Sequence, residues 1–514
     1  MLRQTKTENG LVQGLPGIDA RITVFKGIPF AAPPVGDLRW RAPQPAANWE
    51  GVRKCYEFGP IPMQPIPGKD PEAFYSKEWH VDPEVPMSED CLQLNIWTNA
   101  KTGDEKMPVM MWIHGGGMQE GYAYEQEFDG ERFAARGIVL VSVSYRLNVF
   151  GFLCHSDLTA AQPEDHANFG LMDCDYACQW IKRNIANFGG DPDNITIFGQ
   201  SGGGAASQYL ACSPKTVGHF QRAIFQSAGA CQMVYPKTFS FMEPGTPTIE
   251  KAEAEGAKFL EYLGVKTIEE ARKLDAKFIE EKQVSYRAET GKFSFPAVDG
   301  VFCVKDPGEA MIDDEMNDIS VMVTATGDEF MGMPAPDENV IDWINDKFGD
   351  HAAEYLRLVK NAAGSDDPVD LAKAAKYSTF NLANRLSAEI IANNKHDVYF
   401  SVFDPYIPGD DAGSFHSCDL WFEFESLQRC WRPFDGHHYD LARKMCNYFA
   451  NFARTGNPNG KDADGTDMPF WPVYTNENPH AMMLCDEVYV EKDTDPRMRM
   501  MLDVNFEKLN ITKK

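Results

Sequence analysis

The segment Ile195-Thr196-Ile197-Phe198-Gly199-Gln200-Ser201-Gly202-Gly203 decides how the chain is read. Four apolar or β-branched residues fit a short buried strand. A serine flanked by glycines follows, and then a run of small residues, Gly203 to Ala211, that fits a helix. This is the setting of a nucleophile elbow, in which a serine is held in a sharp turn between strand and helix. Glycine on either side removes the Cβ atoms that would collide with the sheet and with the incoming helix. The unpaired N–H groups at the helix start then lie where negative charge would develop.

Outward from this point, short apolar segments alternate with helical ones. Val109 to Ile113, Val139 to Ser144 and Ala223 to Phe225 read as further strands, and Asp173 to Asn187 as a helix. Such alternation predicts a mostly parallel sheet covered by helices on both faces. Thr248 to Glu281 and Asp337 to Lys395 are charged and helix-rich and read as insertions. Pro60 to Pro86 is rich in proline and acid and carries Phe74, Tyr75 and Trp79; a long aromatic loop of this kind suits either a lid or an ordered surface loop. His114-Gly115-Gly116-Gly117 directly follows the strand that ends at Ile113. Consecutive glycines allow several backbone N–H groups to converge on one oxyanion. A phosphate-binding loop is excluded, because no Gly-Lys-[Ser/Thr] ending is present.

Composition narrows the function classes. The 514 residues include 49 basic and 76 acidic side chains, a net charge of −27, which argues against nucleic-acid and anionic-membrane partners. Hydrophobic residues make up 43 %, enough for a large core without disulfide or metal support. The richest apolar runs, Met107 to Ile113 and Ile138 to Val143, fall far short of the ~18 residues that a membrane span requires. No apolar leader follows Met1, so the expected location is cytoplasmic. The twelve cysteines show no C-x-x-C spacing, and Cys174 and Cys178, although on one helix face, have no partner pair to complete a zinc site.

Several motifs in order give the chain its resemblance to a known family. Phe25-Lys26-Gly27-Ile28-Pro29-Phe30-Ala31 through Arg39-Trp40, Ser88-Glu89-Asp90-Cys91-Leu92-Gln93-Leu94-Asn95-Ile96, Ser144-Tyr145-Arg146-Leu147-Asn148 through Leu153, and Phe188-Gly189-Gly190-Asp191-Pro192 are followed by Phe452-Ala453-Arg454-Thr455-Gly456-Asn457-Pro458 and Trp471-Pro472-Val473-Tyr474. Together with the two glycine motifs, these resemble the type-B carboxylesterases, the group of α/β-hydrolases that includes cholinesterases and para-nitrobenzyl esterases.

The resemblance implies an α/β-hydrolase fold: a central, mostly parallel mixed sheet flanked by helices, with helical insertions forming the substrate pocket. It makes residues 1–514 one domain, with 60–87 a candidate lid loop and 231–320 and 337–400 helical insertions. It implies Ser201 as nucleophile, His416 in Gly413-Ser414-Phe415-His416 as base, and Glu329 in Thr326-Gly327-Asp328-Glu329-Phe330 as the acid, with Asp328 as fallback. The N–H groups of Gly116, Gly117 and Gly202 would form the oxyanion hole, and Ser227 in Gln226-Ser227-Ala228-Gly229 would support the acid. The implied activity is hydrolysis of carboxylic esters through an acyl-enzyme, without metal or organic cofactor. The partner is a small-molecule ester, the chain a monomer or simple homo-oligomer. A lipase, a feruloyl-type esterase, an amidase and a non-catalytic binding member of the fold are the alternatives.

Three departures from the family pattern stand out. Gly202 replaces the usual alanine, and Phe330 replaces the usual glycine after the acid. The cysteine that often pairs with the one matching Cys91 is absent from Gly59-Pro60-Ile61-Pro62-Met63-Gln64, and Cys55 is out of register, so Cys91 is expected to be reduced and the loop more mobile. Met118, after the oxyanion glycines, suits either the pocket wall or core filling. The pair His437-His438 reads as polarity at a surface or a helix start.

Overall fold

Nearly continuous burial runs through the central strands of a computed structural model of the chain. It describes residues 1–79, 81–228, 234–236, 245–335 and 338–513. Among these the first strands are β1 (Gln4–Thr7), β2 (Gly10–Gln13), β3 (Leu15–Pro16), β4 (Thr23–Pro29), β5 (Val52–Lys54) and β6 (Gln93–Thr98). The central ones are β7 (Met107–Ile113), β8 (Val139–Val143), β9 (Gly190–Gln200), β10 (Arg222–Gln226) and β11 (Ser320–Thr326). They are followed by β12 (Val398–Phe403), β13 (His480–Leu484) and β14 (Val488–Lys492). β1, β2 and β5 make a small sheet, and the other eleven strands make one large sheet in the order β14-β13-β12-β11-β10-β9-β7-β8-β6-β4-β3.

From β8 across to β13 all neighbours are parallel, while β6, β4 and β3 at one edge and β14 at the other are antiparallel. This is the mixed, mostly parallel sheet expected from the sequence. Its strands are buried on both faces. In β7, Val109, Met111 and Ile113 join one hydrophobic cluster, while Met110 and Trp112 join the cluster on the opposite face. Parallel strands need crossover connections, and the helices that make them cover both faces.

The sequence-derived boundaries shift in instructive ways. β9 begins at Gly190, five residues before its apolar core, because Asp191, Pro192 and Asp193 continue the extended backbone without being buried. The helix expected over Asp173 to Asn187 spans Phe169–Asn184, and a tighter turn, Ile185–Phe188, completes it. The first charged insertion holds helices Ile249–Tyr262, Ile268–Arg272 and Ala276–Thr290. The second holds Val340–Phe348, Ala352–Ala363, Pro368–Ala375 and Thr379–Asn393. The last of these packs on β11 and β12, with Leu382, Ala383 and Leu386 buried, and the span 337–400 runs on into β12. Residues 231–233 and 237–244 of the span 231–320, His80 of 60–87, Asp337 of 337–400 and Gly229 of the Gln226 motif lie outside the described residues.

One buried ion pair ties the chain after β8 to the helix Phe169–Asn184. Arg146, 3 % exposed, donates from Nε and Nη2 to the two oxygens of Asp173, 0 % exposed, at 2.7 Å each, and its backbone N–H adds a third bond at 3.0 Å. Removing one member of such a pair leaves a buried charge uncompensated. Asp173→Ala is expected to lose about 3–5 kcal/mol of stability, read as a fall in the midpoint of urea unfolding.

Candidate active site

The turn after β9 holds Ser201 at φ 56° and ψ −120°, outside the ordinary regions for a side-chain-bearing residue. Its N–H donates to the carbonyl of Gln226 at the end of β10 at 2.9 Å, and its carbonyl accepts from Ala205 in the helix Gly202–Cys212. The turn is held by close packing as well. A Cβ on Gly203 would lie 1.9 Å from the carbonyl oxygen of Ile113 at the end of β7. The helix therefore starts directly on the neighbouring strand, and only glycine fits.

The loop after β7 closes over this turn. His114 is fully buried, with Nδ1 3.0 Å from the carbonyl oxygen of Gly115, and burial pushes its pKa down to about 4, so it is neutral. The Tyr145 hydroxyl donates to the His114 carbonyl at 3.0 Å. Gln119 and Glu120 donate backbone N–H groups to the Gly116 carbonyl, which leaves the N–H groups of Gly116 and Gly117 outside that turn. Gly202 faces this loop so closely that a Cβ there would come within 2.7 Å of both the Gly117 and Met118 nitrogens. This accounts for glycine where the sequence resemblance leads one to expect alanine: the loop has settled into the missing methyl's volume. Met118 is 3 % exposed and borders the cavity, so it serves both as wall and as core.

The remaining residues arrive from strand ends further along the sheet. Glu329, 0 % exposed, follows β11. Its Oε2 lies 3.1 Å from Nδ1 of His416, while Oε1 accepts from the Ser227 hydroxyl at 2.5 Å and from the Thr326 N–H at 2.6 Å. Asp328 points elsewhere: its carboxylate accepts the Ser414 N–H at 3.2 Å and pairs with Lys376. Asp328 thus braces the His416 loop, and the fallback reading fails on geometry. The imidazole of His416 is 6 % exposed. Phe330, held at φ 38°, lies against it with ring centroids 4.4 Å apart, and Phe380 flanks it at 5.4 Å. On its other nitrogen, Nε2 faces the side-chain amide of Gln200 at 3.3 Å. With the ring proton assigned to Nδ1 toward Glu329, Nε2 accepts from that amide. No hydrogen bond joins Ser201 Oγ to His416 in this state.

Ser201, His416, Gly116, Gly117 and Gly202 line one cavity of about 670 Å³. The short helix Phe74–Trp79 of the 60–87 loop borders it. Tyr75 stacks on Trp79 at 4.7 Å and donates its hydroxyl to the His416 carbonyl at 3.2 Å, and Phe74 meets Phe415 edge-on at 4.9 Å. The insertions add Phe293, Phe295 and Phe380. The contacts of Gln200, Phe330 and Tyr75 were not foreseen in the sequence. The glycine-to-phenylalanine departure at Phe330 was the one available signal. Among the described residues, Asp435, His437 and His438 have ligand atoms close enough to hold a metal, but Asp435 and His438 cap the helix Gly436–Thr455, in keeping with helix-start polarity. Cys91 is buried and unpaired.

The sheet, the strained serine turn and the Glu329–His416 pair define a hydrolase of the α/β-hydrolase fold. The chain belongs to the carboxylesterase family, whose model matches residues 2–500, and it is a carboxylic ester hydrolase. It is 33 % identical over 489 residues to a phenmedipham hydrolase of Pseudarthrobacter oxydans, covering 90 % of this chain and 92 % of the relative. It is 30 % identical over 515 residues to the para-nitrobenzyl esterase of Bacillus subtilis (strain 168), covering 96 % and 97 %. The solved structure of the Geobacillus stearothermophilus carboxylesterase EST55 at pH 6.2 superposes with a TM-score of 0.78 at 31 % identity, covering 97 % of this chain and 100 % of that one.

Two expectations follow from this geometry. Gly202→Ala, although it restores the family's usual residue, forces the Gly117 and Met118 amides apart, and kcat for ester hydrolysis is expected to fall about 10²-fold. Asp419, fully buried with Oδ1 unpartnered, is pushed up to about 7 by burial and by nearby Glu329. A carboxyl raised in the folded state binds more protons folded than unfolded, so its contribution is lost as pH rises from the unfolded value near 3.8 through 7. Asp419→Asn is therefore expected to melt above wild type at pH of about 8, with the gap closing toward pH of about 4, in melting curves across that range.

Proposed function

We propose that Ser201 is the nucleophile, His416 the general base and acid, and Glu329 the carboxylate that fixes the imidazole tautomer and stabilises the imidazolium. The observation that carries this reading is the run of contacts Ser227–Glu329–His416, which ends in the cavity that Ser201 also lines. On substrate binding the Gln200 amide gives up Nε2, and Ser201 Oγ takes its place and loses its proton to it. Attack on the ester carbonyl produces an oxyanion received by the N–H groups of Gly116, Gly117 and Gly202. His416 protonates the departing alcohol, and water releases the acyl group by the reverse sequence. These steps draw on water and on groups of this chain alone. Ser227 acts through Glu329, holding its second oxygen.

In the same reading residues 1–514 are one catalytic domain. The 60–87 loop covers the cavity, and the spans 231–320 and 337–400 supply walls through Phe293, Phe295 and Phe380. Among the described residues eleven cysteines are unpaired, which supports a reducing, cytoplasmic setting. No described helix is long and apolar enough to cross a membrane. The substrate is a small ester; the partly aromatic cavity of about 670 Å³ favours short acyl chains or an aromatic group over a long lipid chain.

The test is hydrolysis of p-nitrophenyl esters from acetate to palmitate, with Ser201→Ala beside wild type. Burst kinetics, an optimum at short chains and a loss of at least ~10³-fold in the variant are expected. Full activity of Ser201→Ala would overturn the assignment, and an optimum at palmitate would make the protein a lipase.

A further inference from the structure

The cavity wall beneath the oxyanion loop carries two buried acids that no basic side chain of the described residues pairs with. Glu127 is 0 % exposed and lines the cavity, and no side chain other than the neighbouring Glu125 carboxyl offers its carboxyl oxygens a hydrogen bond. Glu125 stands beside it on the same wall, with one oxygen accepting the Tyr122 N–H at 2.8 Å. That oxygen would lie 3.3 Å from a Cβ placed on Gly121, which fixes the pair close under the loop. Burial and the neighbouring carboxyl hold Glu127 well above the usual carboxylate range, and burial pushes Glu125 up to about 7.

The contrast with nearby Glu78 is informative. Glu78 is equally buried, yet it is paired with Arg432 at 2.9 Å and accepts the Trp431 indole N–H at 3.1 Å. The cations among the described lining residues are Lys69 and Arg287, and neither forms an ion pair with Glu125 or Glu127; Arg287 lies over the Phe293 ring at 4.0 Å. The stacked rings of Tyr75 and Trp79 border the same cavity. Aromatic faces beside unpaired carboxyls make a surface that binds an organic cation. Tyr75 donates to the His416 carbonyl, which sets this rim beside the residue proposed to protonate the departing alcohol.

We propose that Glu125 and Glu127 form a subsite for a protonated primary or secondary amine carried on the alcohol part of the ester, a reading that rests on the esterase mechanism above. The hydrogen-bonding pattern selects within the cations. Carboxyl oxygens that no basic side chain serves call for N–H groups, which a primary or secondary ammonium carries and a quaternary ammonium lacks.

The experiment compares kcat/KM for aminohexyl butyrate, its neutral isostere heptyl butyrate and trimethylammoniohexyl butyrate at neutral pH. Wild type is expected to favour the amine over the neutral ester by about tenfold or more, the scale of one hydrogen bond to a charged group, with the quaternary ester, which keeps the charge but has no N–H to donate, falling between the two. Glu127→Gln is expected to bring the amine-to-neutral ratio near unity; Glu127→Met, which fills the volume without polar atoms, serves if the amide variant does not fold. A ratio near unity in wild type, a ratio that survives in Glu127→Gln, or a quaternary ester equal to the amine overturns the proposal. Calorimetric binding of hexylamine against hexanol, to wild type and Glu127→Gln, reads the subsite without turnover. If p-nitrophenyl butyrate is not hydrolysed but hexylamine binds through Glu127, the catalytic reading fails and the subsite stands. If the p-nitrophenyl ester is cleaved and hexylamine binds no better than hexanol, only the subsite fails.

Discussion

The start of the helix after β9 rests on the end of β7, with Gly203 against the Ile113 carbonyl and no room for a methyl group between them. That contact sets the height of the serine turn above the sheet and brings the helix N-terminus under the hydroxyl. It also fixes the distance to the His114–Gly117 loop, because that loop begins at the residue after Ile113. The same backbone atom thus registers the Ser201 turn and the glycines after His114 against each other. β10 and β11 then add their own ends in register, through the Ser201 N–H on Gln226 and the Ser227 N–H on Thr324. A parallel sheet is suited to this, since all its strand ends of one polarity open on the same side.

Around this centre the protein spends stability on buried acids. Glu329 is neutral in cost terms because Ser227, Thr326 and His416 each give it a hydrogen. Asp173 and Glu78 are matched by arginines. Asp419 and Glu127 are matched by no arginine or lysine; Glu127 lines the cavity, and Asp419 lies within electrostatic reach of Glu329. An unmatched buried carboxyl is the kind of local conflict that folding alone would remove. Its concentration at one end of the sheet marks that end as shaped by what it must bind and transform.

Much of this was legible in the sequence, for identifiable reasons. Strands β7 to β10 announce themselves because a strand covered on both faces is apolar at most positions, and the two glycine motifs lie at strand ends where glycine fits. The family motifs also point to Ser201, Glu329 and His416 as one group, and in the structure Glu329 meets His416, which lines the same cavity as Ser201. The contacts of Gln200, Phe330 and Tyr75 with the imidazole were not legible, because each depends on the angle at which a loop returns to the sheet. The Asp328 fallback could not be set aside from sequence for the same reason: adjacent carboxylates point to opposite sides, and only the path of the His416 loop tells which side is inward. Nothing in the sequence marks Glu125 and Glu127, since in a chain of net charge −27 two more glutamates carry no signal.

The hydroxyl of Tyr75 on the carbonyl of His416 has a mechanical meaning of its own. The short helix that borders the cavity is tied by this bond to the backbone of the residue whose imidazole meets Glu329. Cavity wall and imidazole thus share one footing: a change that shifts the helix loads the loop that carries His416, and a change in that loop reaches the aromatic wall through the same bond.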